Sequence, residues 1–162
     1  MSRDRSSRPI PILLSIVVAL MLAMAPMPDW AAPYRPDWVV LTIIFWSMNL
    51  PQKYSVGYAW LVGIVLDVSY GTLLGQHALA LSLIVYLTVK FHLQLRLYPV
   101  SQMALTLIPM LAIYKFILFW INGVIGIQTP LSAYWGPVIT GALIWPLVNL
   151  VLQTVPYRTR AH

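Results

Sequence analysis

Glutamate is absent from all 162 residues, and aspartate occurs only at Asp4, Asp29, Asp37 and Asp67. Only 9% of the chain is charged, against about 25% in ordinary globular proteins. A water-soluble domain of this size could not cover its surface with so few charges. With 60% hydrophobic residues, the chain reads as an integral membrane protein.

The net charge of +6 could indicate a nucleic-acid binder, but its distribution does not. Arg3, Arg5, Arg8, Arg35, Lys53, Lys90, Arg96, Lys115, Arg158 and Arg160 come singly or in small groups between apolar runs. No face gathers enough of them to follow a phosphate backbone, and no nucleic-acid motif is present. There is no cysteine, which excludes disulfides, thiolate metal sites and cysteine nucleophiles.

A helix needs about 20 residues to cross a hydrocarbon core of roughly 30 Å. Six segments approach this, near 9–25, 36–50, 56–72, 77–90, 102–122 and 135–155, the second being short. The expected fold class is all-α, a bundle of six transmembrane helices filling residues 9–156. Residues 1–8 and 157–162 form basic cytoplasmic tails. No segment is long enough to hold a separate soluble domain.

Positive charge orients this bundle. With both termini in the cytoplasm, the inner tails and connections carry Arg3, Arg5, Arg8, Lys53, Lys90, Arg96, Arg158 and Arg160. The outer connections keep only Arg35, the asymmetry expected of a multi-pass inner-membrane protein. Trp30, Tyr34, Trp38, Tyr70, Trp120, Tyr134 and Trp135 then mark the outer boundary as an aromatic belt. Tyr54, Tyr58, Tyr98 and Tyr157 mark the inner one. The first segment has the basic start and apolar core of a secretory signal, with Ala23-Met24-Ala25 resembling a cleavage site. Pro26 would follow the cut and disfavours it, so an uncleaved anchor is expected.

Ionisable groups at membrane depth cost about 2.5–3.5 kcal/mol on insertion scales and demand a reason. Asp67 lies on one helix face with Gly63 and Gly71, one turn to either side. Such small residues let a neighbouring helix come close and shield the carboxylate from lipid. Along their helices Asp67 and Lys115 stand about 16 and 20 Å above the inner edge. This depth match predicts an intramembrane Asp67–Lys115 ion pair. The functional alternative is a proton or cation relay through Asp67. Arg35-Pro36-Asp37 is a helix-start signature, with Asp37 in the first turn favoured by the helix dipole. Arg35 then either touches lipid phosphate or docks a periplasmic partner.

His77 and His92 are isolated and lack metal-ligand spacing, so no metal or cofactor is expected. Ser69 and His77 could suggest an intramembrane hydrolase, but Ser69 has no nucleophile-elbow glycines and no third orienting group. Pro109 and Pro146 fall within helices and should kink them.

Arg35-Pro36-Asp37-Trp38 leads into an apolar helix that ends in Phe45-Trp46, then Leu50-Pro51. Gly63-Ile64-Val65-Leu66-Asp67 is followed by Gly71-Thr72-Leu73-Leu74-Gly75 and the run Ala78 to Tyr86, with Trp120 and Gly141-xxx-Trp145-Pro146 later. In this order, over nearly the whole chain, the motifs resemble the rod shape-determining protein MreD family. Lys115 is not part of the family pattern. The resemblance implies a non-enzymatic inner-membrane subunit of the bacterial cell-elongation complex. Its partners would be MreC, a single-span protein, MreB filaments, and RodA with penicillin-binding protein 2, which build side-wall peptidoglycan. It also implies a fold similar to the substrate-binding subunits of vitamin transporters.

Two mechanisms are compatible with these residues. In the first, Gly63, Gly71 and Gly75 offer a close-approach groove to the MreC helix, with Arg35 and Asp37 near its outer end. In the second, the chain is a small-molecule-binding subunit of a transporter, with a pocket near Asp67, Tyr70 and Lys115.

Overall fold

A computed structural model of the chain describes residues 9–156. The tails carrying Arg3, Arg5, Arg8, Arg158 and Arg160 lie outside the described residues. The described residues form seven α-helices and no strand: α1 Pro9–Met24, α2 Trp38–Asn49, α3 Val56–Tyr70, α4 Gln76–Lys90, α5 His92–Leu97, α6 Val100–Ile125 and α7 Ser132–Gln153. A 3-10 turn at Ala32–Tyr34 precedes α2.

Proline sets several of the boundaries. Pro9 and Pro11 fall in the first turn of α1, where their missing N–H groups cost nothing. α1 stops before Pro26, α2 stops before Pro51 and α6 begins after Pro99. Pro109, Pro137 and Pro146 lie inside α6 and α7, which stay helical through them.

α2 organises the core. Every residue from Val39 to Met48 is buried, so this helix has no outward face. A sequence apolar all round can do this only at the centre of a bundle. Twelve residues span about 18 Å, too little to cross a membrane unaided. α1, α4, α5 and α7 pack around it. α3 pairs with α4, and α6 pairs with both α4 and α7. Trp46 donates its indole N–H to Ser15 Oγ at 2.9 Å, fastening α1 to α2. Phe45 meets the Trp46 ring edge-on at 5.0 Å and Trp145 of α7 at 6.5 Å.

The outside of this bundle is as apolar as its inside. α6 and α7 are long and apolar enough to cross a membrane, yet only 28% and 44% of their most apolar stretches are buried. A core helix of a soluble protein would be mostly covered. Leu105, Phe116, Trp120, Leu143 and Leu150 instead point outward. Exposed apolar area on this scale marks contact with lipid or protein. α1, α3 and α4 are apolar too but shorter, at 15 or 16 residues. α5 was not expected; it follows α4 after one residue and exposes Leu93 and Leu97.

Two glycines permit close backbone crossings. A Cβ on Gly63 would sit 2.2 Å from the Ala78 Cα, so α3 and α4 touch backbone to backbone. A Cβ on Gly136 would lie 2.4 Å from the Pro33 carbonyl oxygen, which seats the 3-10 turn on α7.

Candidate functional site

The acids of the described bundle gather at one end, where α1 and α3 finish and α2 and α4 begin. Asp67 occupies the last turn of α3 and is fully buried. The connection that follows is short: Gly71 closes α3 in the left-handed conformation, and Gly75 opens α4 at a φ of 102°. This reversal delivers the N-terminus of α4 onto the Asp67 carboxylate. Gly75 N–H donates to Oδ2 at 2.8 Å, and His77 N–H donates to Oδ1 at 3.0 Å. Asp67 therefore caps α4 from a different helix, and the positive end of the α4 dipole favours its charge.

Two side chains complete the carboxylate's shell. The Thr72 hydroxyl donates to Oδ1 at 3.1 Å, and His77 Nδ1 lies 2.7 Å from the same oxygen. An ionised carboxylate can only accept, so His77 Nδ1 carries the hydrogen in this contact. The His77 ring lies 5.5 Å from that of Tyr70 and 6.3 Å from that of Tyr114, which α6 buries against it.

The expected Asp67–Lys115 pair is not formed. Lys115 Nζ donates instead to Asp37 Oδ1 at 2.9 Å, joining α6 to the start of α2. Matching depth was an insufficient criterion, because α4 stands between α3 and α6 and its own N-terminus satisfies Asp67 first. Asp37 holds the cap position of α2 but makes no side-chain bond to that helix. Its carboxylate turns to the lysine, and Oδ2 is buried without a hydrogen bond.

Arg35 is engaged within the chain. Its guanidinium donates to the carbonyl oxygens of Ala23 and Ala25, capping the C-terminal end of α1. The planar fork suits two adjacent carbonyls, and a cation suits this end of a helix. Arg35-Pro36-Asp37 thus ties three helices together: arginine to α1, aspartate to α6, and the backbone into α2.

The glycines divide. Gly63 is a close-approach position as expected, but its neighbour is α4 of the same chain. Gly71 and Gly75 have open space where a Cβ would stand; their role is positive φ in the turn. Sequence reasoning set His77 aside as isolated and left out Thr72, Tyr114 and Gly136 as site residues. A carboxylate followed by glycines four and eight residues on, with histidine beyond them, was the available signal.

Little here suits bond-making chemistry. The Ser69 hydroxyl donates to the Val65 carbonyl of its own helix at 2.7 Å, and His77 is engaged by Asp67. Among the described residues, no three His, Asp, Glu or Cys side chains gather as a metal site. The belt expected from the aromatics is divided as well. Trp30, Tyr34, Tyr70, Trp120 and Trp135 are exposed, whereas Tyr134 is buried and accepts a hydrogen bond from Asn122.

A helical bundle with an apolar exterior, whose polar side chains clasp its own helices, defines a membrane-associated helical protein. Residues 5–155 match the family described as rod shape-determining protein MreD. The chain is 29% identical over 154 residues to the rod shape-determining protein MreD of Haemophilus influenzae, covering 93% of each chain. The chain belongs to the MreD family of rod shape-determining proteins. No solved structure matches it.

Proposed function

We propose that the chain is a non-enzymatic inner-membrane subunit of the cell-elongation complex that binds the membrane helix of MreC. Through MreC it would serve MreB and the RodA–penicillin-binding protein 2 synthase in building side-wall peptidoglycan. α1, α2, α3, α4, α6 and α7 supply six crossings, the short α2 being sheltered by its neighbours, with both termini cytoplasmic. The fastened outer end containing Arg35, Asp37, Asp67 and Lys115 holds this bundle in shape.

The observation carrying this reading is an apolar groove of about 640 Å³ between α1 and α7. α1 leans chiefly on α2, leaving Leu14, Val18 and Leu22 along one wall and Leu147 and Val151 along the other. Ser15 and Ala19 keep part of the lining small, as close helix packing in lipid requires. This groove replaces the Gly63–Gly71–Gly75 face, which α4 and the turn already use. The transporter alternative gains no support, since neither main cavity is lined by Asp67, Tyr70 or Lys115.

Photo-crosslinkers at Val18, Val151 and, on the far side, Leu105 test it. Capture of MreC from the first two positions and not from Leu105 is expected. Capture from Leu105 alone would place the partner elsewhere and overturn the groove.

A further inference from the structure

The end of the bundle opposite the acids holds a second cavity, of about 280 Å³. Its floor is apolar and buried, made by Phe45, Met48, Met103 and Trp145. Arg96 of α5 and Asn149 and Gln153 of α7 line its polar side. Neither the Arg96 guanidinium nor either amide makes a hydrogen bond or ion pair with the described residues. Asp29, Asp37 and Asp67, the acids among the described residues, all belong to the other end. Arg96 therefore brings a positive charge to the cavity wall with no carboxylate among those residues beside it.

The surroundings place this cavity at a lipid boundary. Leu93 and Leu97 project from α5 as an exposed apolar pair one turn apart, with Arg96 beside them. A short helix with that pattern lies along an interface, its apolar side toward acyl chains and its cation at headgroup level. Basic pockets between membrane helices on the cytoplasmic side take phosphate-bearing headgroups.

We propose that this cavity binds a glycerol phosphate group through Arg96, Asn149 and Gln153, supplied by an anionic phospholipid of the inner leaflet. The guanidinium faces the phosphate oxygens, the two amides bond the ester and glycerol oxygens, and acyl chains leave past Leu93 and Leu97. The assignment to the inner leaflet rests on the orientation proposed above; the phosphate chemistry does not. Free glycerol phosphate would offer the same group without the tails.

Native mass spectrometry of the full-length detergent-purified protein tests this, using dioleoylphosphatidylglycerol, dioleoylglycerol and sn-glycerol 3-phosphate. The phosphatidylglycerol adduct is expected to persist where dioleoylglycerol, with the same tails and no phosphate, is lost. Arg96→Gln should weaken it about tenfold, the scale of one hydrogen bond to a charged group. Asn149→Leu and Gln153→Leu should weaken it without altering charge, whereas Lys90→Gln, outside the cavity, should not. Glycerol phosphate binding as tightly as the lipid would keep the phosphate site and overturn the lipid source. Equal retention of dioleoylglycerol, or wild-type binding by all three cavity variants, would overturn the site.

Discussion

Lys115 reaches from α6 to Asp37 at the head of α2, 2.9 Å away, so one ion pair fixes the central helix to the bundle's outer layer. The two side chains are only 11% and 19% exposed. Removing one partner leaves the other charge largely without water, and breaking a fully buried pair costs about 3–5 kcal/mol. With some solvent access, Lys115→Met or Asp37→Asn is expected to cost about 2 kcal/mol. The Asp37→Asn/Lys115→Met double variant should recover much of that loss. Thermal unfolding in detergent, arranged as a double-mutant cycle, checks it. Coupling should appear between Asp37 and Lys115 and be near zero between Asp67 and Lys115. The reverse pattern would restore the pairing that depth alone suggested.

Asp67 should rank above His77 in stability. Asp67→Ala strips the α4 N-terminus of its acceptor and leaves the Gly75 and His77 amides unpaired in a buried site, at about 3 kcal/mol. Asp67→Asn keeps one acceptor oxygen but turns an NH₂ toward a backbone N–H, at about 2 kcal/mol. His77→Phe removes one donor while backbone and Thr72 donors remain, at about 1 kcal/mol. Hydrogen exchange at Gly75 and His77 reads this directly. Both amides should lose protection in Asp67→Ala and keep most of it in His77→Phe. Protection unchanged in Asp67→Ala would show that the carboxylate does not cap α4.

The glycines of α3 and the turn should separate by mechanism. Gly63→Ala puts a methyl 2.2 Å from a backbone atom of α4, which cannot yield without the helices parting. It should be the most damaging of these changes, beyond about 3 kcal/mol, and should lower the amount of folded protein in the membrane. Gly71→Ala meets no atom but must hold a φ of 63°, costing about 1 kcal/mol. Gly57→Ala meets nothing and sits in a helix, where alanine is favoured by up to about 1 kcal/mol. Membrane levels and melting temperature should order as Gly57→Ala, then Gly71→Ala, then Gly63→Ala.

The helices were legible because apolar runs and prolines mark them: α1, α2, α3 and α4 begin and end within about two residues of expectation. Pairing was not legible. Which neighbour satisfies Asp67 depends on a five-residue turn that reverses the chain, and periodicity carries no information about that. Lys115 has a long flexible stem, so its position along α6 leaves several partners within reach. α5 escaped notice because six residues are too few for a periodic signal. α2 was noted as short, yet only packing reveals that its neighbours cover it on every side.

Arg35 is the last of these fastenings and the one most open to misreading, since an outward arginine is also what a docking site would present. Its guanidinium is committed to the Ala23 and Ala25 carbonyls, so its loss should act first on α1. Arg35→Lys keeps the charge but replaces the two-pronged fork with a single ammonium. It should lose about 1 kcal/mol, and Arg35→Ala somewhat more. The readout is limited proteolysis of the connection between Met24 and Arg35 in detergent. Cleavage should rise several-fold in Arg35→Ala and less in Arg35→Lys, in the purified protein without any partner. A purely docking arginine would leave that cleavage unchanged in both variants and reveal itself only when a partner is added.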